Sequence, residues 1–188
     1  MKKIFIIGVE ASNYLNFEEY LLAEEFNPYE ERIKNWKDNL LDDLEFEVIK
    51  IPMPNKFAEY KYWKIMFEKV FPYFGEENIL IHSLGATFLL KYLNENYLEN
   101  ISGIHLISPA VFDTPDELLG SFTFKNIENY KKYEITYIYH SKDDDIVSFS
   151  DSEYLKNILP KSRFEVFEDI GHFIFNEHLE KLVENIKR

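Results

Sequence analysis

Six short apolar runs, set between longer amphipathic stretches, constrain the fold of this chain more than any other feature. The runs are Lys3–Ile7, Phe46–Ile51, Asn78–Ile81, Gly103–Ile107, Glu134–Tyr139 and Arg163–Phe167. Most are continuously apolar or nearly so, the pattern of strands buried on both faces. The stretches between them read as helices. The clearest is the last, where Phe175, Leu179, Leu182 and Ile186 repeat at helical spacing. Alternating strands and helices imply a mostly parallel sheet with helices on both faces, a three-layer α/β/α sandwich. Right-handed crossovers restrict the topology, and the strand order 2-1-3-4-5-6 sets strands 1 and 3 side by side. Ligands of such sheets bind at the carboxyl ends of strands near the switch point. Strand 1 is expected to end at Gly8 and strand 3 at Ser83, so the two following loops should face one cleft.

The length of 188 residues suits a single domain spanning residues 1–188. Hydrophobic residues make up 46% and charged residues 29%, a balance that argues against disorder. The formal net charge of −13 disfavours nucleic-acid backbones and anionic membrane surfaces as partners. No apolar stretch approaches the roughly 18 residues of a membrane span. The start, Met1-Lys2-Lys3-Ile4-Phe5-Ile6-Ile7, has too short an apolar run for a signal peptide and reads as a buried first strand. The chain has no cysteine, which excludes disulfides and thiolate metal sites and fits a cytoplasmic location.

The third run continues as Ile79-Leu80-Ile81-His82-Ser83-Leu84-Gly85-Ala86 and then becomes helical. A strand that turns sharply into a helix presents the residue at the turn as an exposed nucleophile, here Ser83. Asp144 follows the fifth run and His172 the sixth, so serine, acid and histidine occur in the order of a hydrolytic triad. A serine hydroxyl needs a base to take its proton, and His172 in Asp169-Ile170-Gly171-His172-Phe173 can be that base. The histidine needs an acid on its other ring nitrogen. In Asp143-Asp144-Asp145-Ile146-Val147, Asp144 is the first choice, because the apolar pair behind it would anchor the loop and aim the acid inward. Asp143 is the alternative. A hard cation would suit these carboxylates, but no second acidic cluster converges on them. For the oxyanion, the backbone N–H of Leu84 and that of Val9, in the loop after strand 1, are the expected donors.

Two connections are too long for simple turns, near residues 11–28 and 110–132. Both leave from strand ends on the presumed active face, where they suit a lid or a pocket wall, or else a surface helix packed on the body. Among the other histidines, His82 is expected to shape the turn and His105 to be a hydrogen-bonded core residue. His140 and His178 look peripheral.

These segments resemble the small single-domain serine hydrolases typified by YdeN and retinoblastoma-binding protein nine, within the α/β-hydrolase superfamily. The resemblance runs from Ile4 to about the last helix. It rests on Gly8-Val9-Glu10-Ala11-Ser12, on Trp36 and Leu40, on Pro52-Met53-Pro54-Asn55 with Trp63, and on His82-Ser83-x-Gly85-Ala86. Ser141-Lys142-Asp143-Asp144-x-Ile146-Val147 and Gly171-His172-Phe173 complete it. The sequence departs from the family pattern at Ile81, where the elbow usually has its first glycine, at Ile7 and at Ser148. The loop from Ala11 to Trp36 is also longer than usual. The resemblance implies an α/β-hydrolase fold, esterase-like activity on a small-molecule ester and no cofactor. A serine hydrolase cleaving an ester or thioester with an apolar acyl part is the expected function. A weakly active or inactive binding or regulatory protein on the same scaffold is the alternative.

Overall fold

Strands form where the apolar runs predict them, and neighbouring strands run parallel throughout. The structure is a computed structural model that describes residues 3–10, 22, 47–54, 59–73, 77–99, 101–112, 114, 119–133, 136–173 and 180–187. Its strands are β1 (Lys3–Glu10), β2 (Glu47–Pro54), β3 (Glu77–His82), β4 (Ile101–Ile107), β5 (Thr136–Ser141) and β6 (Arg163–Phe167). They lie in the order β2-β1-β3-β4-β5-β6. The helices are α1 (Tyr60–Glu68), α2 (Leu84–Glu95), α3 (Phe149–Ile158) and α4 (Glu180–Lys187). Pro52 and Pro54 fall on β2, an outer strand of the sheet. An outer strand has one edge with no ladder to serve, so missing N–H donors are tolerated there.

The period of two along each strand sorts side chains onto two faces. Ile79 and Ile81 of β3, Ile104 and Leu106 of β4 and Ile138 of β5 join one core with Trp63, Met66 and Phe67 of α1, Phe88 and Leu89 of α2 and Leu155 of α3. Leu80, Ile107, Tyr137 and Tyr139 join the opposite core with Phe167, Phe173, Leu182 and Ile186, the last two from α4. Helices therefore cover both faces. In α1, Met66 and Phe67 lie one turn on from Trp63, and all three are buried. Trp63, Phe88 and Phe122 meet edge to face, with the Trp63 and Phe122 rings 4.7 Å apart. Truncating one such buried ring to alanine typically costs about 3–5 kcal/mol.

Phe122 belongs to the long connection after β4. Its part from 119 to 132 lies against α2: Ile127 and Tyr130 enter the core, and the Lys91 ammonium donates to the Ser121 and Thr123 carbonyls at 2.8 and 3.1 Å. The expected segment near 11–28 lies outside the described residues except for Leu22, which is helical and exposed. Phe175, Leu179, His178, Trp36 and Leu40 also lie outside them.

One boundary differs from the sequence expectation. β1 does not stop at Gly8 but runs on to Glu10, because β2 continues beside it, with Val9 opposite Met53 and Glu10 opposite Pro54. Pairing with β3, by contrast, ends at Ile7 opposite Ile81. Val9 is thus a strand residue rather than a loop residue.

Candidate active site

The turn from β3 into α2 is made at a backbone cost. Ser83 adopts φ 56° and ψ −130°, a region that side chains rarely occupy. Strain of this kind costs on the order of 1–3 kcal/mol and persists only where the surroundings impose it. They do so here. The Ser83 N–H donates to the Ile107 carbonyl at 2.9 Å, and the Ser83 carbonyl accepts from the Ala86 N–H at 2.8 Å. Two residues on, Gly85 has no room for a side chain unless Ile81 shifts, since a Cβ there would lie 2.8 Å from Cγ1 of Ile81. Ile81 itself is buried in the core and packs over that glycine, so the residue that replaces the family's first elbow glycine has a place of its own. Leu84 is the first residue of α2, where a backbone N–H has no intrahelical acceptor. Val9 lies two residues past Ile7, the last residue of β1 paired with β3, and Ser83 two residues past its partner Ile81.

His172 is placed by two flanking residues with positive φ, Gly171 at 59° and Phe173 at 54°. Phe173 is wholly buried and meets Phe167 edge to face at 5.3 Å, which fixes one side of the loop. Asp143 fixes the other. Its Oδ1 accepts the Gly171 N–H at 2.9 Å and the Ser141 hydroxyl at 2.5 Å, and the Ser141 oxygen accepts the Ile170 N–H at 3.0 Å. These hydrogen bonds, the Ser141 hydroxyl first and the Gly171 N–H next, hold the Asp143 carboxyl below its usual range.

The two aspartates left open by the sequence thus take different partners. Nδ1 of His172 lies 2.8 Å from Oδ2 and 3.0 Å from Oδ1 of Asp144. Both are acceptors, so Nδ1 carries the hydrogen, and in the neutral ring Nε2 has the lone pair. The Asp144 side chain has 0% exposure. Burial pushes its carboxyl up, but hydrogen bonds from His140, His172 and the Val147 N–H overcome this and hold it well below the ordinary carboxylate range. The Ile146 and Val147 N–H groups both donate to Oδ1, at 3.0 and 2.9 Å. Ser108 is wholly buried at φ 42°, and its hydroxyl has no hydrogen-bond partner among the described residues.

The histidine loop also meets the serine turn directly. The His82 and His172 rings are 4.5 Å apart, and Nε2 of His82 donates to the His172 carbonyl at 2.8 Å. Ser83 is the next residue. Beside it Leu84 packs on Ala110, Leu119 and Val147, an apolar cluster drawn from the elbow, the connection after β4 and the acid loop. Asp151 of α3 pins that connection: its buried Oδ2 accepts the Val111 N–H at 3.0 Å and the Thr114 hydroxyl at 2.7 Å. Thr87 of α2 donates to the Ala110 carbonyl.

His140 is the correction. It is not peripheral but wholly buried, with Nε2 3.2 Å from Oδ2 of Asp144. A polar residue in the otherwise apolar strand end Tyr137-Ile138-Tyr139 was the signal. His105 is buried and hydrogen-bonded to Tyr139 and Asn78. Among the described residues, no three His, Asp or Glu side chains converge as a metal site.

Sheet, elbow and hydrogen-bonded acid–histidine pair together define a protein of the α/β-hydrolase class. A family model described as serine hydrolase matches residues 33–187, and the chain belongs to that family. Among solved structures it is similar over its whole length to the ydeN gene product of B. subtilis. That likeness has 21% identity, a TM-score of 0.72 and coverage of 100% of both chains. It is also similar to Est1E from Butyrivibrio proteoclasticus, with 14% identity, a TM-score of 0.65 and coverage of 99% of this chain and 86% of that one. An esterase from Exiguobacterium antarcticum matches with 18% identity, a TM-score of 0.63 and coverage of 99% and 92%. No curated protein matches the sequence.

Proposed function

We propose that this hydrolase is a carboxylesterase-like enzyme that cleaves a small ester or thioester through Ser83, His172 and Asp144. The observation that carries the reading is the His172 imidazole, held through Nδ1 on a buried carboxylate and lying against the residue that precedes the strained Ser83. In this mechanism Nε2 of His172 takes the Ser83 hydroxyl proton as Oγ attacks the carbonyl carbon. The N–H groups of Leu84 and Val9 receive the oxyanion, each such donor being worth about 2.7–4 kcal/mol in the transition state. His172 then returns the proton to the leaving alkoxide or thiolate, and an acyl group remains on Ser83. Water repeats the sequence and releases the acid. Leu84, the residue after the serine, packs in an apolar cluster with Ala110, Leu119 and Val147, which supports an apolar acyl group.

The test is labelling by a fluorophosphonate probe together with hydrolysis of p-nitrophenyl acetate and butyrate. Folded wild type should label and turn over, and Ser83→Ala should do neither. Equal labelling of Ser83→Ala, or none of the wild type, would overturn the assignment.

A further inference from the structure

We propose that His140 is a positioning residue of this site: it gives its ring N–H to the carboxylate that holds His172, and Ser152 holds His140 in turn. The inference rests on the reading of Asp144 as the triad acid and extends it by a second layer. Nε2 of His140 lies 3.2 Å from Oδ2 of Asp144 and 3.1 Å from the Val147 carbonyl. Both are acceptors, so the hydrogen sits on Nε2 and is shared between them. Nδ1 lies 2.7 Å from the Ser152 hydroxyl, which donates to it in the neutral ring. His140 and Ser152 are both wholly buried, and the Phe149 ring packs against the imidazole at 5.5 Å.

The arrangement divides the carboxylate between two sets of donors. Oδ1 is taken by the Ile146 and Val147 N–H groups of its own turn, with His172 Nδ1 also 3.0 Å away. Oδ2 has two imidazole N–H groups, His172 from the histidine loop and His140 from β5. Strand β5 is the stiffer support, because it is paired on both sides, with β4 and β6. His140 therefore anchors to the sheet the oxygen that orients the base. The same N–H closes the acid turn through the Val147 carbonyl. A histidine that only filled the core would not direct its donor at this carboxylate. Without that donor Oδ2 keeps His172 alone, and only the N–H groups on Oδ1 restrain the carboxylate against rotation about its Cβ–Cγ bond.

The experiment compares wild type with His140→Leu, His140→Gln and Ser152→Ala in the full chain. Steady-state hydrolysis of p-nitrophenyl butyrate is read with the low-field proton resonance of the His172 Nδ1–H. His140→Leu removes the donor and should lower kcat by roughly tenfold to a hundredfold with KM little changed, as expected for one hydrogen bond to a charged group. Its low-field resonance should shift or broaden. His140→Gln restores an N–H at similar reach and should recover most of both. Ser152→Ala should give a smaller shift in the same direction. If His140→Leu does not fold, Ser152→Ala decides by the same two readouts. Wild-type kcat with an unchanged resonance in folded His140→Leu, or in Ser152→Ala where His140→Leu does not fold, would overturn the proposal. Absence of turnover in the wild type would instead defeat the esterase reading, and the resonance would still decide whether His140 positions the pair.

Discussion

Asp143 and Asp144 are chain neighbours with separate tasks, one holding the backbone of the histidine loop and the other its ring. Exchange of each for its amide separates these tasks. Asn at 144 can present an NH2 where His172 needs an acceptor, which favours the wrong tautomer. A comparable exchange in a serine protease triad costs about 10⁴ in kcat, and Asp144→Asn is expected to approach that. Asp143→Asn keeps an acceptor for Gly171 and leaves the His172 ring bonded, so its loss should be no more than about tenfold, the worth of a single hydrogen bond. Rates with p-nitrophenyl acetate for both folded variants check the pair. Comparable losses would mean that the two carboxylates share the role. The choice between them could be argued from sequence only through Ile146 and Val147, since a run of aspartates has no periodicity to orient it. Val147 is buried while Ile146 is 61% exposed, so one apolar residue anchors the turn rather than two.

At the scale of elements, the turn from β3 to α2 depends on a contact between Ile81 and Gly85. A methyl at position 85 would meet Cγ1 and Cδ1 of Ile81 at 2.8 and 3.1 Å. Gly85→Ala should destabilise the fold by about 1–3 kcal/mol, the usual cost of overpacking. Ile81→Ala should cost about 2–5 kcal/mol through the cavity it leaves. In the double variant the new methyl occupies part of that cavity, so the loss should fall short of the sum by about 0.5–3 kcal/mol. Urea denaturation of the three variants measures this, and strict additivity would show that the contact is not what excludes a side chain at 85. This turn was legible in the sequence because an apolar run ending in a small polar residue and a glycine has few structural solutions. The parallel sheet with helices on both faces was legible for a similar reason: the inner strands β3, β4 and β5 each carry apolar residues toward both cores. Less legible was the reach of β1. Gly8-Val9-Glu10 lacks a strand's pattern and is extended only because β2 runs beside it. His140 escaped notice because its partners come from a turn and a helix that its own strand does not announce.

Across the whole molecule, the core on the α4 side contains a polar chain that crosses three strands. Nε2 of His105 on β4 donates to Oδ1 of Asn78 on β3 at 3.2 Å, and Nδ1 accepts the Tyr139 hydroxyl from β5 at 2.9 Å. The imidazole stacks on Tyr137 at 4.6 Å, and Gly103 leaves the space that a Cβ would take from the Asn78–His105 bond. Both ring nitrogens are satisfied only in the neutral form, and burial pushes the His105 pKa down to about 3. An unfolded histidine titrates near 6.5, so below that pH the unfolded chain binds a proton that the folded chain refuses. The stability tied to this group is therefore fully present above about pH 6.5 and is lost as the pH falls toward 3. Between pH 7 and 5 the loss from His105 alone should be about 2 kcal/mol. His105→Gln replaces the titrating ring with a neutral donor and acceptor. Its stability at neutral pH should be lower, since the stacking on Tyr137 is lost, but its decline between pH 7 and 5 should be shallower than that of the wild type by about the same 2 kcal/mol. Urea midpoints for both proteins at half-unit steps of pH provide the measurement. Parallel curves would mean that His105 takes up its proton without leaving the fold, and that the hydrogen bonds to Asn78 and Tyr139 do not hold it neutral.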